Sequence, residues 1–168
     1  WNRDVTRVPY QLHYDWLQKI YLENALAEDH YAVDGRNIHL SDIRTPMFFV
    51  GTTTDHVAPW KSVYKIHRLA PHAELTFCLT NGGHNAGIAC GPVHPRRKHQ
   101  VATREPGEGY VHPDLWRSRT ATTEGSWWPA WNKWLFENSG VKVSARTIGA
   151  ADQGYAPICD APGTYVHL

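Results

Sequence analysis

The chain has 168 residues, of which 42% are hydrophobic and 20% charged, with a formal net charge of +1. This length suits about one domain with a sizeable core, and the composition excludes a disordered chain. So small a net charge gives no electrostatic ground for nucleic acid or an anionic membrane as a partner.

Cys78, Cys90 and Cys159 are odd in number and widely spaced, with no CxxC pair. That argues against a disulfide framework and fits a reducing compartment. No secretory signal pattern is present, and no apolar run approaches the ~20 residues of a membrane span. The chain opens on Trp1 and its only methionine is Met47, so we expect it to be a piece of something longer.

Residues 10–26 place Leu12, Trp16, Ile20 and Tyr21 on one face, with Leu17 beside it and Asp15 paired to Lys19 four positions on. This spacing predicts a helix. Residues 34–46 read as a turn, a short edge strand and a connection. Residues 47–51, "MFFVG", form a continuous apolar run, which suits a strand covered on both faces in a parallel sheet. A loop carrying Asp55 follows. Pro59 suits the first turn of a helix over 60–69, "WKSVYKIHRL".

Residues 74–80, "ELTFCLT", read as a second core strand that ends in the glycine loop "NGGHNAG" with His84 at its tip. From Gly91 to Thr123 the text is polar and rich in Pro, Arg, His and Gly. It reads as long loops with one short helix near "HPDLWRS". "SWWPAWNKWLFENSG" is a strong helix, with Ser126 as N-cap, Pro129 in the first turn and Gly140 as the C′ stop. The last 28 residues read as loop.

Strand, acid-bearing loop, helix, strand and histidine-bearing loop form part of an α/β sheet. Sites in such sheets lie beyond the carboxyl ends of the strands. Asp55 and His84 would then stand side by side. A histidine base held by a carboxylate is two-thirds of a nucleophilic triad. Both residues are also ordinary loop residues on a plainer reading. The third member is missing: no serine or cysteine has glycine at both −2 and +2, as a nucleophile elbow requires. Cys78 reads as a small core residue, and Cys90 follows the histidine.

Zinc is a rival reading. His84, Cys90, His94 and His99 fall within sixteen positions, the last three spaced C-x3-H-x4-H, although paired spacing in zinc sites is usually tighter. The neighbouring run Arg96-Arg97-Lys98 disfavours a cation. That run reads as a solvated face or as a phosphate contact for a nucleotide-type substrate. "GSWWPAW" reads as packing in the core or along a groove, or as the lining of an apolar groove for a greasy substrate.

"WNRDVTRVP", "TTTDHVAPWKSVY", "NGGHNAG", "GSWWPAWNKWL" and "APGTYV" together, in this order, resemble the polyhydroxyalkanoate synthases. The likeness is weakest from Cys90 to Gly109. It implies the C-terminal part of an α/β-hydrolase fold, a partial parallel sheet with flanking helices. Residues 1–33 would end a cap region and add a connecting helix, 34–140 would be the C-terminal half of the catalytic domain, and 141–168 a tail. The implied activity is acyl transfer that polymerises (R)-3-hydroxyacyl-CoA with release of CoA. His84 would be the base, Asp55 its orienting carboxylate, His56 a supporting residue, and the cysteine nucleophile would lie upstream of Trp1. No cofactor or metal is implied.

The implied partners are the acyl-CoA substrate and the growing polyester, with homodimers and second subunits known among members. The implied location is the bacterial cytoplasm or the polymer granule surface. Two other readings are a non-catalytic truncated module that binds a synthase or a granule, and a related esterase or depolymerase with serine at the elbow.

Overall fold

The computed structural model describes residues 6–164. The ends of two motifs, Trp1–Val5 and Tyr165–Leu168, lie outside the described residues. The chain forms two compact units, 1–138 and 139–168.

The first unit begins with helix α1 (Tyr10–Asp15), which widens into a π-helix over Trp16–Leu22. The helical reading of this stretch holds as far as Leu22. Its apolar face is not buried, however: Trp16 is 52% exposed and Tyr21 80%. A two-residue turn at Asp34-Gly35 joins β1 (Ala32–Val33) to β2 (Arg36–Asn37). A 3-10 turn over Leu40–Asp42 leads to the main sheet.

That sheet has four strands in the order β3 (Met47–Thr52), β4 (Leu75–Thr80), β5 (Lys98–Arg104) and β6 (Thr122–Glu124). Strands β3 and β4 are parallel, with Met47 opposite Leu75 and Thr52 opposite Thr80. β5 runs antiparallel to β4, and β6 antiparallel to β5. The sheet is therefore mixed, which corrects the expectation of a parallel sheet. β5 also corrects the reading of 91–123 as loops around one helix; the helix itself is present as α4 (Pro113–Arg119).

Side-chain alternation along β3 and β4 sorts the core into two faces. Phe77, Leu79 and Phe49 pack with Trp60, Tyr64 and Trp116. Cys78, Phe48 and Val50 pack with Cys90, Trp127 and Trp128 on the other side. Residues from α2 (Trp60–Val63) and α4 thus cover one face, and residues from α5 (Trp128–Glu137) the other. Gly51 makes the first contact possible: a Cβ there would lie 2.9 Å from Trp60 Cβ and 3.2 Å from Phe77 Cζ. This layering is compatible with the α/β class.

The helix expected over 60–69 is two short pieces, α2 and α3 (Ile66–Leu69), and Pro59 caps the first rather than entering it. Arg104 holds the end of α3. Its guanidinium donates to the carbonyls of His67, Ala70 and Ala73, the last two at 2.8 and 3.0 Å, and so clamps the last turn of the helix and the turn that follows it. Helix α5 starts at Trp128, one residue later than a Ser126 cap implies, although the Ser126 hydroxyl still accepts the Trp128 N–H at 3.1 Å. It ends at Glu137 with Asn138 as its C-cap, so Gly140 lies one residue beyond the C′ position.

The second unit is mostly irregular. A 3-10 turn over Ala151–Gln153 is closed by a bridge between Ala150 and Tyr155.

Candidate active site

Parallel pairing of β3 with β4 sets their carboxyl ends side by side, and the two following loops stay zipped together. The Thr53 N–H donates to the Thr80 carbonyl at 2.9 Å, and the Thr54 N–H to Gly82 at 3.2 Å. Asp55 and His84 are thereby brought into contact: His84 Nδ1 lies 2.9 Å from Asp55 Oδ2. The Asp55 side chain is only 6% exposed, whereas that of His84 is 46% exposed.

The second carboxylate oxygen is also used. Asp55 Oδ1 accepts the backbone N–H groups of Val57 and Ala58, both at 2.8 Å. The Ala58 N–H, with further help from His84 and the Val57 N–H, outweighs desolvation and holds the Asp55 carboxyl down at about 2. At neutral pH the carboxylate can only accept, so His84 Nδ1 must carry the proton. The lone pair is then left on Nε2 of a half-exposed side chain. His56, beside this pair in sequence, is exposed and makes no hydrogen bond to either member.

The loop after His84 is a tight turn. The Gly87 N–H donates to Gly83 and the Ala89 N–H to Asn85, both at 2.9 Å. Gly87 sits against Thr52: a Cβ there would lie 2.6 Å from Thr52 Cγ2 and 2.9 Å from the Gly83 carbonyl. Three carbonyls at the far side of the turn are served by consecutive side chains of the tryptophan motif. Trp127 Nε1 donates to Gly87 at 3.2 Å and Trp128 Nε1 to Ile88 at 3.0 Å. The Ser126 hydroxyl donates to Cys90 at 2.7 Å. Sequence reasoning took this motif for apolar packing and missed the donors. The signal was available in its composition, because a buried indole brings an N–H that must be satisfied.

The cysteines within the described residues of this unit do not face the site as nucleophiles. Cys78 and Cys90 are fully buried, and burial pushes the Cys78 thiol up to about 12. The Cys90 thiol donates to the Gly87 carbonyl at 3.3 Å. The zinc spacing does not assemble either. Cys90 points into the core, buried His99 donates from Nδ1 to the Gly125 carbonyl at 3.1 Å, and His94 is exposed. Among the described residues no three His, Cys, Asp or Glu side chains are grouped to hold a metal. A cavity of about 410 Å³ opens next to these loops, bordered by Thr53, Asn81, Lys98, Gln100 and Arg117. Neither Asp55 nor His84 lines it.

Comparison with known proteins gives this geometry a context. No protein-family model matches the chain. Over 166 residues, 99% of its length, it is 36% identical to a poly(3-hydroxyalkanoate) polymerase subunit PhaC of Rhizobium etli. It is 34% identical to a poly(3-hydroxyalkanoate) polymerase of Methylorubrum extorquens over 169 residues. By sequence, this chain is similar over its whole length to part of the poly(3-hydroxyalkanoate) polymerases. The corresponding subunit of Cupriavidus necator is 32% identical over 167 residues. The chain spans about a quarter of the length of these polymerases: 25%, 27% and 27% respectively. Among the described residues no helix is long and apolar enough to cross a membrane.

Proposed function

We propose that this chain supplies the aspartate–histidine half of a thiol acyl-transfer site in a poly(3-hydroxyalkanoate) polymerase. The observation that carries the reading is the 2.9 Å contact between His84 Nδ1 and Asp55 Oδ2 at the carboxyl ends of two paired parallel strands. The scaffold is read as part of an α/β-hydrolase fold. The reacting cysteine is read as lying outside residues 1–168, because the relatives are about four times as long and Cys78 and Cys90 are buried.

The chemistry follows from the ring's orientation. His84 Nε2 takes the proton of the cysteine thiol, and Asp55 stabilises the imidazolium through Nδ1–H. The thiolate attacks the thioester carbonyl of a (R)-3-hydroxyacyl-CoA. The C–S bond to CoA breaks, and CoA leaves with the proton carried by His84. The acyl group, now on the cysteine, passes to the 3-hydroxyl that ends a neighbouring unit, which gives up its proton to the same base. Each cycle forms one ester bond and releases one CoA. The enzyme thus works as an acyltransferase without cofactor or metal, on acyl-CoA and the growing polyester.

The test is CoA release from 3-hydroxybutyryl-CoA by the complete protein. We expect His84→Ala to lower turnover by ~10²–10⁴-fold, the usual contribution of a positioned base. Undiminished turnover in a folded His84→Ala protein would overturn the reading.

A further inference from the structure

Arg97 lies within the basic run that sequence reasoning assigned to solvent or to a phosphate. Its guanidinium turns inward instead. Nη1 donates to the Asn81 carbonyl at 3.2 Å and Nη2 to the Ala86 carbonyl at 2.6 Å. These carbonyls stand three residues before His84 and two after it. We propose that Arg97 is a positioning residue for His84, bridging both shoulders of the glycine loop and fixing the imidazole against Asp55. The inference rests on the reading of His84 as the base.

The bridge is built from a fixed point. Asn81 ties the start of β5 to the end of β4 three times. Its N–H donates to Lys98 O at 3.1 Å, its Oδ1 accepts the Lys98 N–H at 3.0 Å, and its Nδ2 donates to Arg96 O at 3.0 Å. Gly125 N–H adds a bond to the Arg97 carbonyl at 2.6 Å. The Arg97 backbone is therefore held between two strands, and its side chain carries that fixity across to the loop.

The loop is shaped to receive the guanidinium. Gly82 adopts φ +113°, in the region that favours glycine, and a Cβ there would lie 2.6 Å from Arg97 Nη1 and 2.9 Å from Gly87 Cα. Among the described residues no carboxylate pairs with Arg97, so its charge acts on the two carbonyls. A planar fork can span two carbonyls at once with charge-assisted bonds, whereas a lysine ammonium is a point charge that cannot hold that geometry.

The measurement is steady-state CoA release from 3-hydroxybutyryl-CoA by the complete protein. The variants are Arg97→Met, Arg97→Lys, His84→Ala and the double variant Arg97→Met/His84→Ala. Displacing a reacting group by about 1 Å costs on the order of 100-fold. We therefore expect Arg97→Met to lower kcat by ~10–100-fold with little change in KM, and Arg97→Lys to recover only part of it. On the His84→Ala background, Arg97→Met should cost nothing more, because the group it positions is gone. A folded Arg97→Met protein with unchanged kcat overturns the inference, as does an equal loss on both backgrounds. If Arg97→Met does not fold, Arg97→Lys with and without His84→Ala makes the same comparison. Full activity of His84→Ala sinks the base reading itself. A dead His84→Ala beside a fully active Arg97→Met sinks the positioning role alone.

Discussion

Trp127 and Gly87 meet across forty residues of chain: the indole Nε1–H donates to the Gly87 carbonyl at 3.2 Å, while the ring is 5% exposed in the core. One side chain thus buries the far face of the sheet and pins the turn that carries His84. Trp127→Phe separates the two roles, because it keeps an aromatic body and removes the donor. The Gly87 carbonyl then loses one partner. We expect a stability loss of ~1–2 kcal/mol, the usual cost of a lost hydrogen bond plus a small packing defect. Denaturant unfolding reads it directly. A variant within experimental error of wild type would mean that the indole N–H contributes only packing.

The two halves of the site were legible in the sequence to different degrees. Strands β3 and β4 announce themselves as short apolar runs, and Asp55 and His84 follow from where those runs stop. β5 was hidden. Its buried positions hold His99 and Arg104, with Val101 and Ala102 only partly buried, so "KHQVATR" shows no apolar alternation. Its polar residues are buried because backbone carbonyls from elsewhere satisfy them: Gly125 for His99 and the end of α3 for Arg104. Arg97 was unreadable for the same reason. Its partners are carbonyls, which every residue has, and a sequence does not show which of them will lie within reach.

Asp55 should stay ionised far into acid. Its carboxyl is held at about 2 against an ordinary 3.8, chiefly by the Ala58 N–H. A depressed folded value means that the associated stability is fully present above about pH 4 and is lost as pH falls through about 2. We expect the ¹³C carboxyl signal of Asp55 to titrate near 2. Stability should fall less steeply between pH 4 and 2 in Asp55→Asn than in wild type. Equal slopes would show that the carboxylate gains nothing from its partners. Asp55→Asn should also cut CoA release, since an amide N–H facing Nδ1 favours the wrong tautomer of His84.

His67 carries the opposite kind of strain, a polar ring buried without a partner. It is 4% exposed, its ring lies 4.3 Å from that of Tyr64, and its Nε2 has no hydrogen-bond partner among the described residues. Burial first, and then the charge of Arg104, push it down to about 4 from 6.5. Glu108 and Arg104 border the same cavity of about 380 Å³ and are the charged groups that line it. The unfolded chain binds a proton at His67 below about 6.5 that the folded chain refuses until about 4. Stability is therefore intact above 6.5 and falls as pH drops through that window. The full shift corresponds to on the order of 3 kcal/mol, at about 1.4 kcal/mol for each pH unit. His67→Phe keeps the ring, removes the unpartnered nitrogen and takes the titration away, while Arg104 still finds the residue 67 carbonyl. We expect the variant to be more stable than wild type at pH 5 and to show a flatter stability profile between pH 4 and 6.5. Urea midpoints measured across that range decide it. Parallel profiles for the two proteins would place the acid sensitivity on other histidines and show that His67 accepts its proton at an ordinary pH.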